Sequence, residues 1–115
     1  MHPLCNRVRV DLDGQDPVFS VAAEVVDDRV SMRVTGEVDM ATAGRMFDAA
    51  LADGARAAFI DLTGVTFFDS AAIHALIRLS ERFPGGFEVM PSRPVRRVLD
   101  IAGLGDQAWL KKVEE

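Results

Sequence analysis

The hydrophobic pattern along this 115-residue chain changes period several times, from strand-like alternation to helical spacing and back. Strand-like runs lie at residues 18–26, 30–35, 57–62 and 87–90, and helix-like segments separate or follow the later runs. Strands that alternate with helices favour right-handed crossovers and parallel pairing. The pattern therefore predicts a small α/β domain, with a mixed, mostly parallel β-sheet of four to five strands and three to four helices.

Residues 27–29 separate the first two strand-like runs and are typical of a hairpin turn. We expect Gly36 to end the second strand. The helix that follows starts at either Asp39 or Thr42, since both are good capping residues, and Gly54 is a plausible stop. Its buried face is predicted to consist of Ala43, Met46, Phe47, Ala50 and Leu51.

Residues 57–62 form a nearly continuous apolar run, which favours a central parallel strand buried on both faces and ending before Gly64. A second helix is predicted at about residues 70–82. A third helix opens at residues 92–94 and ends at Gly103. Three late apolar residues are expected to pack a final turn or helix on the core: Trp109, Leu110 and Val113. Four methionines are expected to fill the core: Met32, Met40, Met46 and Met90.

Residues 1–17 are the least regular part of the chain. Val8, Val10 and Leu12 alternate with charged residues, which indicates either a short edge strand or a frayed arm. Residues 13–17 are typical of a turn. We therefore expect an N-terminal arm or edge strand at 1–17 and a single domain at 18–115.

The composition excludes several classes of function. With 13 basic and 18 acidic side chains and a net charge of −5, the chain is a poor direct partner for nucleic acid, whose phosphates dominate binding. No apolar run approaches the ~20 residues of a membrane span, so membrane insertion is not expected. The single cysteine, Cys5, and the absence of a signal-like start predict a cytoplasmic protein. No metal-ligand spacing or phosphate-cradling loop is present, so we expect neither a metal nor a cofactor.

The start of the second helix carries the functional signal. If Asp69 caps this helix, its carboxylate accepts a hydrogen bond from a first-turn N–H, while Phe68 and Ile73 take the positions of a hydrophobic staple. Capping alone would explain this aspartate. At 100° per residue, the helix then places four polar side chains on the side opposite its apolar face: Ser70, His74, Arg78 and Glu81.

Ser70 becomes the first helical residue in this arrangement, and its hydroxyl is expected to be exposed at the positive end of the helix. A phosphate there would interact favourably with the helix dipole and the free N–H groups. Ser70 and His74 could also suggest a hydrolytic dyad. A hydrolase needs in addition an orienting acid, an oxyanion hole and a pocket, and we expect no catalytic residues here.

The segment DLTGVTFFDS at residues 61–70 resembles the signature of the STAS domain family, which bacterial anti-sigma factor antagonists share with sulfate transporters. Two other segments agree in the same order. GEVD at 36–39 is similar to the family's step from the second strand to the first helix, and PVRRVLDIAGL at 94–104 is similar to its third helix. The resemblance covers about residues 18–113 and implies the STAS fold.

In the stand-alone antagonists, the serine after the signature aspartate is phosphorylated by the anti-sigma factor, an ATP-dependent serine kinase. The resemblance implies that Ser70 is this phosphoacceptor, that the unphosphorylated chain binds the kinase and frees a sigma factor, and that phosphorylation ends the binding. The partner-binding residues it implies are Glu37, Asp39, Asp69, Ser70, Ala71, His74 and Arg78. Asp39 is equally well explained as a helix cap, and a homodimer stays possible.

The chain departs from the family at residues 69–72, where it reads DSAA instead of the common D-S-[ST]-G. The two alanines remove a hydroxyl and add a methyl group near the serine. They leave room for an alternative, a STAS accessory subunit of a membrane transport complex of the ABC type that acts without phosphorylation. On the third helix, Arg93, Arg96 and Arg97 form either a solvated face or a contact with acidic groups of a partner.

Overall fold

A computed structural model describes residues 7–11 and 18–112 of the chain. Within these residues it contains five strands and three helices, which alternate as the sequence predicts after an initial run of strands. The elements are β1 (Arg7–Asp11), β2 (Phe19–Val26), β3 (Arg29–Val38), α1 (Ala43–Leu51), β4 (Ala57–Phe68), α2 (Ser70–Arg82), β5 (Phe87–Pro91) and α3 (Arg93–Ile101).

The strands lie in one sheet in the order β1-β2-β3-β4-β5. The pairs β1–β2 and β2–β3 are antiparallel, whereas β3–β4 and β4–β5 are parallel. The β2–β3 hairpin turns at Asp27 and Asp28, whose φ angles of 54° and 66° are those of a type I′ turn. The small mixed α/β fold is therefore confirmed. Leu12, residues 13–17 and Val113, which also carried predictions, lie outside the described residues.

The core lies between one face of the sheet and the helices. Alternate side chains of β2 to β5 are buried, and α1 and α2 add their apolar faces. Each leucine-sized side chain buried here stabilises the fold by about 1.5–3 kcal/mol relative to its exposed state. The most completely buried include Met32, Met46, Ile60, Leu62, Leu76, Leu79, Val34 and Leu99. Among the described residues, no helix combines the length and apolar character needed to cross a bilayer.

Two predicted strand ends are wrong. β3 runs beyond Gly36 to Val38, and β4 runs beyond Gly64 to Phe68. The two extensions pair with each other in parallel. The register shifts between Arg33 and Thr35 and again between Gly36 and Glu37, and at each shift β4 has one residue more than β3. Glycine suggested a stop in each case, but at Gly36 the positive φ of 90° belongs to an irregularity inside a continuing strand.

The expectation that residues 57–62 are buried on both faces is also wrong. Ala58, Ile60 and Leu62 are buried, but the alternate residues Phe59 and Asp61 are only half-buried. Their face of the sheet is polar on β3, where Arg33 forms an ion pair with Asp61 at 3.5 Å. The helices therefore cover one side of β4 more completely than the other.

The third helix begins and ends as predicted. Ser92 caps it, accepting a hydrogen bond from the Val95 amide at 3.3 Å, and its hydroxyl donates to the Val65 carbonyl of β4 at 2.7 Å. Gly103, with φ of 82°, ends the helix, and Leu104 donates back to the Leu99 carbonyl at 2.8 Å. The chain then makes turns, and Leu110 forms a parallel bridge with Val89 of β5.

Candidate functional site

The α2 N-terminus is capped by Asp69, as the sequence predicts. Its Oδ1 accepts a hydrogen bond from the Ala72 amide at 3.0 Å, and the Asp69 amide donates to the Val38 carbonyl at 3.3 Å. Ser70 is the first residue of α2, and its side chain is exposed. The local geometry therefore presents the Ser70 hydroxyl to solvent at the positive end of a 13-residue helix.

Asp69 also holds the loop between β3 and α1. Its second oxygen, Oδ2, accepts a hydrogen bond from the Met40 amide at 3.1 Å. One carboxylate thus joins two segments that lie 29 residues apart in the chain, and both of its oxygens are used. Because Ser70 is the covalent neighbour of Asp69, the loop is held close to the candidate phosphoacceptor.

The hydrogen bonds of the same loop show which of the two predicted starts of α1 is correct. Thr42 takes the N-cap position but its hydroxyl makes no capping hydrogen bond to the helix. Asp39 instead closes a turn, with Oδ1 accepting from the Ala41 amide at 2.9 Å and lying 3.2 Å from the Thr42 hydroxyl. The buried Thr42 hydroxyl also accepts from the Asp39 amide and lies 3.0 Å from the Glu37 carbonyl. The loop is therefore internally hydrogen-bonded.

These contacts bring most of the predicted partner-binding residues to one end of the sheet. Glu37 is exposed and pairs in register with Phe67 of β4, two positions before Asp69. His74 lies one turn after Ser70 on α2 and is also exposed. We call the surface formed by exposed or half-buried side chains at this end the Ser70 surface; its members are Glu37, Asp39, Met40, Asp69, Ser70, Ala71 and His74.

Arg78 is two turns from Ser70, and its contacts point to packing. Its guanidinium lies 4.2 Å from the centre of the Phe47 ring of α1, and Arg82 lies 5.9 Å from the same ring. Phe47 is buried between the two helices. Arg78 therefore contributes a cation–π contact between α1 and α2, in addition to any role on the surface.

The two alanines after Ser70 differ in exposure. Ala72 is fully buried, so its methyl group belongs to the core, whereas Ala71 is half-buried. The methyl group added at Ala72 therefore lies in the core, whereas the hydroxyl missing at Ala71 is missing from a partly accessible position beside Ser70.

The sequence prediction for Met40 is wrong. Met40 is not in the core: 84% of its surface is exposed, since it lies in the loop and not on the apolar face of α1. Val18 and Phe67 are exposed by 48% and 49%, and the Val18 carbonyl accepts from the Glu37 amide at 2.6 Å. Three of the five exposed large hydrophobic residues in the described part of the chain thus lie near the Ser70 surface. The sequence contains one indication of this exposure, because Met40 lies outside the helical period of residues 43–51.

The three arginines of α3 differ in their exposure. Arg96 is half-buried and forms an ion pair with Asp100 at 3.3 Å, while Arg93 and Arg97 are exposed. Among residues 7–11 and 18–112, no group of three or more His, Cys, Asp or Glu side chains is placed to hold a metal ion.

Comparisons with known proteins agree with this arrangement. The STAS domain family model matches residues 20–115, and the chain belongs to the STAS domain family. The resemblance in residues 61–70 is thereby confirmed. A search of curated protein sequences gave no match.

Three of the similar solved structures are described as anti-sigma factor antagonists. One from Mycobacterium paratuberculosis is 30% identical with a TM-score of 0.71, and the match covers 85% of this chain and 90% of that chain. The antagonist SpoIIAA, in its unphosphorylated form, is 24% identical with a TM-score of 0.65, covering 81% and 87%. A STAS domain antagonist from Rhodobacter sphaeroides is 22% identical with a TM-score of 0.53, covering 69% and 92%. The last two likenesses concern the fold alone.

Proposed function

We propose that this chain is an anti-sigma factor antagonist. In its unphosphorylated form it binds an ATP-dependent serine-kinase anti-sigma factor in the cytoplasm and so frees a sigma factor. Phosphorylation of Ser70 by that kinase ends the binding. The observation that carries the proposal is the exposed Ser70 hydroxyl in the first turn of α2, next to the capping carboxylate of Asp69.

The surroundings of Ser70 suit both phosphoryl transfer from ATP and binding of the partner. The exposed hydroxyl oxygen can attack the γ-phosphorus of ATP, losing its proton as ADP leaves. The hydrogen-bonded loop at residues 37–42 and the first two turns of α2 offer a preorganised surface around it. The 30% identity to the antagonist from Mycobacterium paratuberculosis supports the same role.

Phosphorylation would end binding through charge and bulk. A phosphate adds about −1.5 to −2 charges at neutral pH. If Ser70 is covered by the partner, that charge must be buried or the complex must open, and an unpaired buried charge costs several kcal/mol. A hundredfold loss of affinity needs only ~2.7 kcal/mol. No rearrangement of the core is required.

Incubation with ATP and each candidate serine-kinase anti-sigma factor of the source genome tests the proposal. We expect one phosphate per chain in the unmodified protein and none in Ser70→Ala. Ser80→Ala is the matched control, because Ser80 is a half-buried serine on the same helix whose hydroxyl already donates to the Ile77 carbonyl at 2.6 Å. The unphosphorylated protein should bind the kinase and the phosphoprotein should not.

The transport-subunit alternative predicts a different result. A STAS accessory subunit would bind a transporter ATPase or permease and incorporate no phosphate with any serine kinase of the source genome. The buried position of Ala72 favours the antagonist, because the methyl that could have obstructed a kinase does not lie on the surface. Failure of phosphate incorporation together with capture of a transporter ATPase would overturn the proposal.

A further inference from the structure

Met40 differs from the other methionines in the described residues. Met32 and Met46 are 2% and 0% exposed, and Met90 is half-buried in β5, whereas Met40 is 84% exposed. A single exposed apolar side chain is ordinary on a protein surface, whereas a group of them marks an interaction site. Met40 lies near two other exposed apolar residues, Val18 and Phe67, whose surfaces are 48% and 49% exposed. Met40 is not among the residues that pack against the core, so this group of apolar side chains is available to a partner.

The position of Met40 is defined by backbone contacts. Its amide donates to Asp69 Oδ2 at 3.1 Å, and the turn around it is closed by Asp39 and Thr42. Asp69 is bonded directly to Ser70, so the Met40 side chain projects from the loop segment that is fastened next to the phosphoacceptor. Methionine is enriched in the cores of protein interfaces, where its flexible thioether adapts to the partner's surface.

We infer that Met40 is an oxidation-sensitive contact for the partner of the Ser70 surface, an inference that rests on the proposed function. The oxidant is a hydroperoxide such as hydrogen peroxide. A lone pair of the thioether sulfur attacks one peroxide oxygen, a sulfur–oxygen bond forms, the oxygen–oxygen bond breaks and water leaves. The sulfur is oxidised by two electrons and the peroxide is reduced. Methionine sulfoxide reductases reverse the change.

Oxidation at this position would weaken binding without phosphorylation. The sulfoxide places a strong hydrogen-bond acceptor where an apolar group is buried on association, and a buried polar group without a partner is unfavourable. We expect the dissociation constant for the kinase to rise about tenfold, which corresponds to about 1.4 kcal/mol. The fold should be unaffected, because the side chain lies outside the core.

Hydrogen peroxide titration of the purified protein tests the chemical step. Peptide mass spectrometry is expected to find one added oxygen atom on Met40 before Met46 or Met32 reacts, since those two are enclosed in the core. Oxidation of Met46 or Met32 ahead of Met40 would overturn the inference.

Binding to the kinase, measured without ATP, tests the consequence. Met40→Leu keeps the apolar volume without the sulfur, so it should bind normally and resist peroxide. Met90→Leu is the matched control and should lose binding on oxidation as the unmodified protein does; a reductase should restore it. Full affinity after complete oxidation of Met40 overturns this inference alone. Absence of binding before any oxidation overturns the proposed function as well.

Discussion

At the scale of single residues, Asp69 does more than a helix cap requires. One oxygen satisfies the Ala72 amide and the other the Met40 amide, so the start of α2 and the β3–α1 loop share a carboxylate. The first bond could be predicted because it joins residues three apart with a known motif. The second hydrogen bond joins residues that are 29 positions apart, and no local sequence pattern indicates such a contact.

Removal of the Asp69 carboxylate should destabilise the protein. Loss of a cap costs about 0.5–2 kcal/mol, and the unsatisfied Met40 amide adds to it in Asp69→Ala. Asp69→Asn retains one carbonyl oxygen for the Ala72 amide but offers Met40 no acceptor, so its loss should be smaller. Urea unfolding measures both. Ser70→Ala is the control, and this exposed substitution should change the unfolding free energy by less than about 0.5 kcal/mol.

At the scale of elements, the lengths of β3 and β4 depend on their pairing. Beyond Gly36 and Gly64 the two strands continue because each satisfies the backbone groups of the other, with Gly36 opposite Val65 and Val38 opposite Phe68. A glycine looks like a strand end when each segment is considered alone. The alternation of each strand could be predicted from its own residues, but its end is decided by the neighbour's length.

Gly36 has a conformational role that its replacement should expose. Its φ is 90°, and an added Cβ would collide with the backbone carbonyl of Val18. Gly54 also has a positive φ, of 68°, but an added Cβ would meet nothing within 4 Å. Gly54→Ala should therefore cost about 1–2 kcal/mol from φ alone. Gly36→Ala should cost a further ~1–3 kcal/mol from overpacking. Equal thermal stability of the two variants would contradict this role of Gly36.

The contact between α1 and α2 predicts a coupling between Arg78 and Phe47. The guanidinium lies 4.2 Å from the ring centre, so Arg78→Gln should lower the unfolding free energy by about 0.5–1 kcal/mol. In a double-mutant cycle, Arg78→Gln should lower the unfolding free energy much less when Phe47→Leu is already present, because the aromatic ring is then missing. Arg97→Gln, an exposed change on α3, is the control. A kinase-binding defect in Arg78→Gln without any loss of stability would assign Arg78 to the partner instead.

At the scale of the whole molecule, the parallel connections could be predicted because each crossover carries a helix whose apolar face must cover the sheet. The helical period of residues 70–82 correctly separates buried Leu76 and Leu79 from exposed Ser70 and His74. The assembly of the Ser70 surface could not be predicted in the same way. It depends on β3 and β4 ending together, so that the loop after Val38 meets the start of α2.

Phosphorylation of Ser70 is expected to leave this architecture unchanged. The phosphate would extend into water from the first residue of α2, where the helix dipole favours negative charge by about 0.3–1 kcal/mol. The neighbouring Asp69 carboxylate opposes this, so the thermal midpoint should move by less than about 5 °C. Amide NMR signals should shift around residues 37–42 and 69–74, while those of Ile60 and Leu76 stay in place. Ser70→Ala treated with the same kinase controls for effects of the reaction mixture. Shifts throughout the core would mean that the switch works by refolding, and binding would then have to be explained by a second conformation instead of by the charge at the surface.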